Sequence, residues 1–246
     1  MVKASAPGKC ILFGEHAVVY GQPALACSID QRMIIEIESE KTFNAWRVDG
    51  RTMDAKKHPH IEYIRTRLPP HDGQPMHIRI RGTIPKASGL GSSAALSVAL
   101  CGALQQIRDE AIDPVQASVL SHLAEAEAQG GRASPMDTAT SSLGGFVVLS
   151  DAIEEGLDYI ETRTMDVNGE TRKWHLHTFN AQIPEGVALV VGNTGVRGST
   201  SAMVDQVARL IETNPKRKVE LETIGAIARR GIQSLQEGDM EAVGRA

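Results

Sequence analysis

Apolar and polar positions along the chain repeat with two different periods. Met33-Ile34-Ile35-Glu36-Ile37-Glu38 begins to alternate, and His77-Ile78-Arg79-Ile80-Arg81 alternates strictly, with Ile78 and Ile80 on one face. A period of two is that of a half-buried strand. From Gly82 to Gly91 two further glycines and Pro85 break this strand into a loop. Ser92 to Ile107 lacks proline, holds only Gly102 among glycines and is rich in Ala and Leu. That composition predicts a helix with Ser92 or Ser93 in its N-cap region. A second helix is expected from Pro114, which follows Asp113, to Ala128, where Gly130-Gly131 ends it. A short helix around Pro135 to Ser142 and a strand from Phe146 to Leu149 come next. Asn168-Gly169 between Tyr159–Met165 and Thr171–Thr178 is a hairpin signal. Val187 to Val191 reads as a buried strand, and Ser199 to Glu212 and Lys218 to Gln236 read as helices. Ile183-Pro184-Glu185-Gly186 marks a break in composition, which divides the chain into domains 1–182 and 183–246.

Composition narrows the class. The 246 residues suit one large domain or two small ones, and 41% hydrophobic with 23% charged residues suits a packed core. Twenty-six basic against 30 acidic residues give a net charge of −4, so no global basic footprint for nucleic acid exists. An anionic ligand must be held by a local arrangement. The cysteines Cys10, Cys27 and Cys101 are too few for a disulfide framework and have no metal-like spacing, which points to a reducing compartment. The N-terminus lacks the apolar stretch of a signal peptide, and no apolar run reaches the roughly 20 residues of a membrane helix. The expected location is cytoplasmic, with no membrane and no nucleic acid as partner.

The chemistry concentrates in Pro85-Lys86-Ala87-Ser88-Gly89-Leu90-Gly91-Ser92-Ser93-Ala94-Ala95, which leads from a strand into a helix. Glycines let the backbone approach a ligand closely. The first N–H groups of a helix have no internal partner and, with the macrodipole, form an anion site. Ser92 and Ser93 add hydroxyls that can reach a phosphate or Mg²⁺. The P-loop pattern is excluded, because its Gly-Lys-Ser/Thr ending is missing. Gly89-x-Gly91-x-x-Ala94 fits the dinucleotide fingerprint, but Pro85 to Ser88 separates it from the strand, and a second helix follows the first. A glycine-rich turn ahead of a well-capped helix is the plain structural alternative.

A second unusual stretch is Ala6-Pro7-Gly8-Lys9-Cys10-Ile11-Leu12-Phe13-Gly14-Glu15-His16-Ala17-Val18-Val19-Tyr20-Gly21. It places Lys9, Glu15 and His16 among apolar residues, and buried charges are normally paired or functional. A surface turn with a solvated Lys9 and a Glu15–His16 pair is the alternative. Together with the loop at 85–95, this stretch resembles the GHMP kinase superfamily, most closely its mevalonate kinase family. The likeness runs from residue 2 to about residue 205. Glu125-Ala126-Glu127-Ala128-Gln129-Gly130-Gly131-Arg132-Ala133-Ser134-Pro135-Met136-Asp137-Thr138 resembles the family segment that holds a metal-binding glutamate and a catalytic aspartate. Asp137 matches the aspartate. Glu125 matches the glutamate better than Glu127, by its trailing Gln-Gly.

The resemblance implies an α+β fold of two domains: a ribosomal protein S5 domain 2-like N-terminal domain and a ferredoxin-like C-terminal one, here incomplete. It implies ATP-dependent phosphorylation of the C5 hydroxyl of mevalonate, with ATP as co-substrate and Mg²⁺ as cofactor. Pro85, Lys86, Ala87, Ser88, Gly89, Leu90, Gly91, Ser92, Ser93 and Ala94 would bind ATP, and Ser93 and Glu125 would hold Mg²⁺. Asp137 would take the hydroxyl proton. Lys9 would sit by it, stabilising the carboxylate and the shifting phosphoryl charge. Lys9, Glu15, His16, Asp137, Thr194 and Arg197 would face mevalonate, Thr194 as a hydroxyl contact and Arg197 as a carboxylate anchor. The other partner expected is a second copy of the chain in a homodimer. A kinase of phosphomevalonate or of homoserine is the enzyme alternative, and a nucleotide-binding chain without turnover is the non-enzymatic one. Trp174 is expected to be packing, with the role of Trp46 open. His58, His60 and His77 are expected at the surface. The superfamily's third glycine-rich motif does not occur, and the sequence ends at Arg245-Ala246 in or just after a helix. A second domain cut partway is therefore expected, with unpaired sheet edges and reduced stability or activity.

Overall fold

The structure, a computed structural model, describes the chain except residues 40, 41, 43, 86, 87, 132, 168, 169, 182, 193, 194 and 196–199. It is a mixed α+β architecture. Its contacts divide the chain into two compact units that interleave in sequence. One comprises Met1–Lys9, Ser28–Pro85 and Leu90–Leu143, the other Cys10–Cys27, Lys86–Gly89 and Gly144–Ala246.

The first unit carries the first part of strand β1 (Val2–Phe13) and most of β2 (Ala24–Glu38), which pair with each other. It continues through β3 (Arg47–Val48), β4 (Arg51–Thr52), helix α1 (Pro59–Arg67), β5 (His77–Gly82), α2 (Ser92–Ile107), α3 (Pro114–Ala128) and α4 (Met136–Leu143). Its strands lie in the order β4-β3-β5-β2. β5 runs antiparallel to β2 with Ile35 opposite Ile80 and Ile37 opposite Ile78. Ile35, Ile37 and Ile78 face Leu100, Leu104, Ile61 and Ile64 in a single core. Helix α2 is buried nearly all round, from Ala94 to Gln105, which accounts for a sequence of small and aliphatic residues without a polar face. Pro114 opens α3, and Asp113 caps it by accepting from Val115 N and Gln116 N at 2.9 and 3.1 Å.

The second unit holds β6 (Phe146–Ser150), β7 (Asp158–Val167), β8 (Glu170–Phe179), α5 (Thr200–Thr213), α6 (Lys218–Gln236) and α7 (Met240–Arg245). The first residues of β2 pair antiparallel with β6, which pairs with β8, which pairs with β7 as the expected hairpin. Leu25, Val148 and Phe179 pack against Ile232 and Leu235 of α6. Trp174 is 1% exposed and donates its indole N–H to Val18 O at 2.9 Å, so its role is packing, as expected.

Two expectations are corrected here and one is sharpened. Val187 to Val191 is neither strand nor buried: Leu189 is 56% and Val190 87% exposed. A buried strand needs a neighbour for its N–H and C=O groups, and none of the described strands pairs with this segment. Ser92, in the N-cap region as expected, is the first helical residue of α2, but the N-cap itself is Gly91 and neither serine side chain caps the helix. Two of the histidines expected at the surface are half-buried and engaged. His77 faces Glu38 at 3.1 Å, and His60 faces Glu125 at 3.4 Å. Trp46 packs at the edge of the first core, with the Arg65 guanidinium 5.6 Å from its ring centre.

Candidate active site

The site is built in the first unit, where β1 passes the start of α2. Pro7 and Gly8 sit inside β1. A Cβ on Gly8 would stand 2.7 Å from Leu90 O, so only glycine lets the strand run this close to the loop. The next residue, Lys9, donates its backbone N–H to that same Leu90 O at 3.1 Å. Its side chain turns inward, 5% exposed, and passes Gly91. Gly91 has φ +69°, and a Cβ there would lie 2.9 Å from Lys9 Cγ. Backbone conformation and the lysine stem thus both demand glycine at this position. From Gly91 the chain enters α2, with Ala95 N–H donating to Gly91 O at 2.9 Å. The N–H groups of the first turn are left without intrahelical partners, as at any helix start.

The Lys9 ammonium ends 3.0 Å from Asp137 Oδ1. Asp137 stands in the first turn of α4, where the helix dipole favours a carboxylate. The pair is graded in exposure: the Lys9 side chain is 6% accessible and that of Asp137 38%. A buried cation therefore holds a carboxylate that solution, or an alcohol, can still reach.

A second carboxylate belongs to the same unit. Glu125, on α3, is 6% exposed, whereas Glu127 faces solvent. Gln129, one turn on, donates to Glu125 Oε2 at 2.7 Å. Ser93, at the start of α2, is a neighbour of this carboxylate, and His60 Nε2, at the start of α1, lies 3.4 Å from Oε1. Burial pushes the Glu125 carboxyl up. The neighbouring His60, Ser93 and Gln129 outweigh that and hold it below its ordinary value. Oε1 and His60 Nε2 are both buried, and neither makes an aligned hydrogen bond. An ionised oxygen without a hydrogen bond, next to a hydroxyl at a helix start, suits a divalent cation that keeps part of its coordination for phosphate oxygens. Among the described residues no cluster of three or more His, Cys, Asp or Glu would hold a metal alone.

The remaining site candidates divide by unit. Leu90, Gly91, Ser92, Ser93 and Ala94 lie in the first unit with Lys9, Glu125 and Asp137, as does Pro85. Ser88, Gly89 (φ +76°), Glu15 and His16 belong to the second. There His16 is the centre of a γ-turn, with φ 62° and ψ −43°, closed by Ala17 N–H donating to Glu15 O at 2.8 Å. A non-glycine residue rarely holds such a conformation. Lys86, Ala87, Thr194 and Arg197 lie outside the described residues. Sequence reasoning missed His60, although Pro59 at the helix start and Ile61 and Ile64 three apart signalled the helix that carries it.

A profile of the GHMP kinases N terminal domain matches residues 57–145, which include α2, Glu125 and Asp137. The chain is 38% identical over 179 residues to mevalonate kinase of Methanothermobacter thermautotrophicus, an alignment covering 69% of this chain and 59% of that one. It is 30% identical to mevalonate kinase of Pyrococcus furiosus, over 93% of this chain and 68% of that one. The chain spans 59–64% of the length of the first curated relatives it matches. Among solved structures, mevalonate kinase from Methanococcus jannaschii superposes with a TM-score of 0.63 at 19% identity, covering 99% of this chain and 78% of that one. Together, the profile match and these relatives make the chain a member of the GHMP kinase family.

Proposed function

We propose that this chain transfers the γ-phosphoryl group of ATP to the C5 hydroxyl of mevalonate, giving 5-phosphomevalonate and ADP. The single observation that carries the reading is the contact between buried Lys9 and reachable Asp137, 3.0 Å long, where Lys9 also packs on the first residue of the α2 N-terminus. Phosphoryl transfer asks a protein for positioning and charge stabilisation more than for covalent chemistry. The backbone amides from Gly89 to Ser93 would receive the nucleotide phosphates. Asp137 accepts the proton of the C5 hydroxyl as its oxygen bonds to the γ-phosphorus, and the bond from that phosphorus to the β-phosphate oxygen breaks. Lys9 holds the carboxylate in place and faces the negative charge that moves during transfer. Ser93 and Glu125 would hold Mg²⁺, which when bound neutralises charge on the phosphates.

The relatives named mevalonate kinase support mevalonate as the substrate. Glu15, His16, Thr194 and Arg197 are proposed as substrate contacts on the likeness of their segments to the family. We further assign residues 1–182 to the N-terminal GHMP kinase domain, 183–246 to the start of the C-terminal one, and the protein to the cytoplasm. No described helix is long and apolar enough to cross a membrane. The test is ADP release with ATP and Mg²⁺ over a panel of mevalonate, phosphomevalonate and homoserine. Turnover with mevalonate alone supports the reading; turnover confined to another alcohol, or none with any, removes it.

A further inference from the structure

Strands β1 and β2 each carry one of the chain's three cysteines, Cys10 and Cys27. The two strands pair, and their contacts fix the register. Arg32 donates from Nε to Ser5 Oγ at 3.0 Å and from Nη2 to Ser5 O at 3.1 Å. A Cβ on Gly8 would meet Ile29 Cδ1 at 3.1 Å, and one on Gly14 would meet Pro23 O. Position advances on β1 by the same steps as it retreats on β2. The pair is therefore antiparallel, and its register sets Cys10 opposite Cys27. Opposite residues of an antiparallel pair point to one face, with Cα atoms about 4.5–5.5 Å apart. A disulfide spans Cα distances of about 4.4–6.8 Å, so the register suits one. All three cysteines are thiols. Burial pushes the Cys27 thiol up to about 11, and the neighbouring Cys10 thiol adds to the rise. The two differ in access: Cys27 is 6% exposed, whereas Cys10 is half-buried. The third, Cys101, is fully buried on α2, with its Sγ 3.6 Å from Ser121 Oγ.

We propose that Cys10 and Cys27 are a redox pair, which hydrogen peroxide converts to a cross-strand disulfide and a dithiol restores. The Cys10 thiolate attacks one peroxide oxygen and the O–O bond breaks, giving a sulfenic acid and, with a proton, water. The Cys27 sulfur then attacks the Cys10 sulfur and the S–O bond breaks. The hydroxide that leaves takes the Cys27 proton and becomes a second water. Two thiols lose two electrons, and one peroxide gains them. The more reachable sulfur meets the oxidant, and the shielded one resolves the product. Reversible pairs of this kind are the form that disulfides take in a reducing compartment. The bond closes residues 11–26, with the γ-turn at His16, into a covalent loop. None of these steps depends on the reaction that the chain catalyses.

The test treats the full folded chain with hydrogen peroxide, unfolds it with an alkylating reagent present and maps the cysteines by mass spectrometry. Cleavage after Glu15 separates Cys10 from Cys27. The peptides carrying these two are expected to be joined and to lose alkylation together, with Cys101 alkylated as before. Dithiothreitol added before the alkylating reagent should release the link and restore alkylation at both. The link is expected to form faster in the folded chain than in the same chain unfolded by urea, because only the fold holds the two sulfurs opposite each other. Folded Cys27→Ser should stop at the sulfenic acid, trapped at Cys10 by dimedone, and Cys101→Ser should form the link as the wild-type chain does. Full alkylation of Cys10 and Cys27 after peroxide, a link that includes Cys101, or a link that forms no faster in the folded chain overturns the inference. These deciding readouts use the wild-type chain and no alcohol substrate, so their failure is distinct from failure of the substrate panel.

Discussion

Gly91 shows how much of the site rests on single atoms. It combines φ +69° with a lysine stem 2.9 Å from where a Cβ would stand. Gly91→Ala is expected to cost about 1–3 kcal/mol in urea unfolding, the scale of a strained backbone position, and to reduce ATP turnover by displacing Lys9. Ser92→Ala should leave stability within about 0.5 kcal/mol, because the cap of α2 is Gly91 and not a serine side chain. A serine variant more damaging than the glycine one would contradict this. The glycines, Lys9 and Asp137 were legible in the sequence because loop, helix start and motif are local patterns. The distinction between Glu125 and Glu127 was not. It depends on which way α3 faces, and the structure buries the first beside Ser93 and leaves the second in solvent. The sequence alone puts His60 at the surface, since nothing in it brings position 60 to position 125.

Elements with strong periodicity and clear ends were the legible ones. Helices α2, α3 and α6 begin and end where Gly, Pro and the apolar pattern placed them. Strand β1 went unread because Pro7 and Gly8, ordinary strand breakers, sit inside it. The segment 187–191 has a strand's composition without a pairing partner among the described strands. Composition cannot supply the partner. Helix α2 is buried along most of its length. Burial pushes the Cys101 thiol up to about 12, so it stays protonated and shielded at neutral pH. Labelling of Cys101 by a thiol reagent at pH 8 is expected to proceed at the rate of unfolding and to speed up with urea. Labelling as fast as that of a free thiol would show that α2 opens on its own. Leu104→Ala, at a fully buried position of the same helix, should cost about 2–5 kcal/mol.

For the whole molecule, each unit contains a buried titratable group that links stability to pH. Glu125 is held below its ordinary 4.5, so its contribution is complete above that value and is lost as pH falls through the lower folded one. His177, in the second unit, is fully buried and accepts the Glu154 backbone N–H at 3.1 Å through Nε2. Burial holds its imidazole below 6.5, so protons bind the unfolded chain first, and stability declines as pH falls below 6.5. Urea midpoints are therefore expected to drop between pH 7 and pH 5, and His177→Gln should flatten that part of the profile. A midpoint that rises between pH 7 and pH 5 would contradict the assignment of His177, and one that holds steady below pH 4.5 would contradict that of Glu125. The interleaving of the two units was the least legible feature, because strands β1 and β2 each contribute residues to both. Asp137, held by Lys9 beside the start of α2, is the group proposed to receive the proton of the alcohol. That role is measured by ATP-dependent phosphorylation of mevalonate in the wild-type chain and in folded Asp137→Asn. kcat is expected to fall by about 10²-fold or more in the variant with ATP binding retained; turnover within about threefold of wild type, where such a proton transfer should count for far more, would contradict that role.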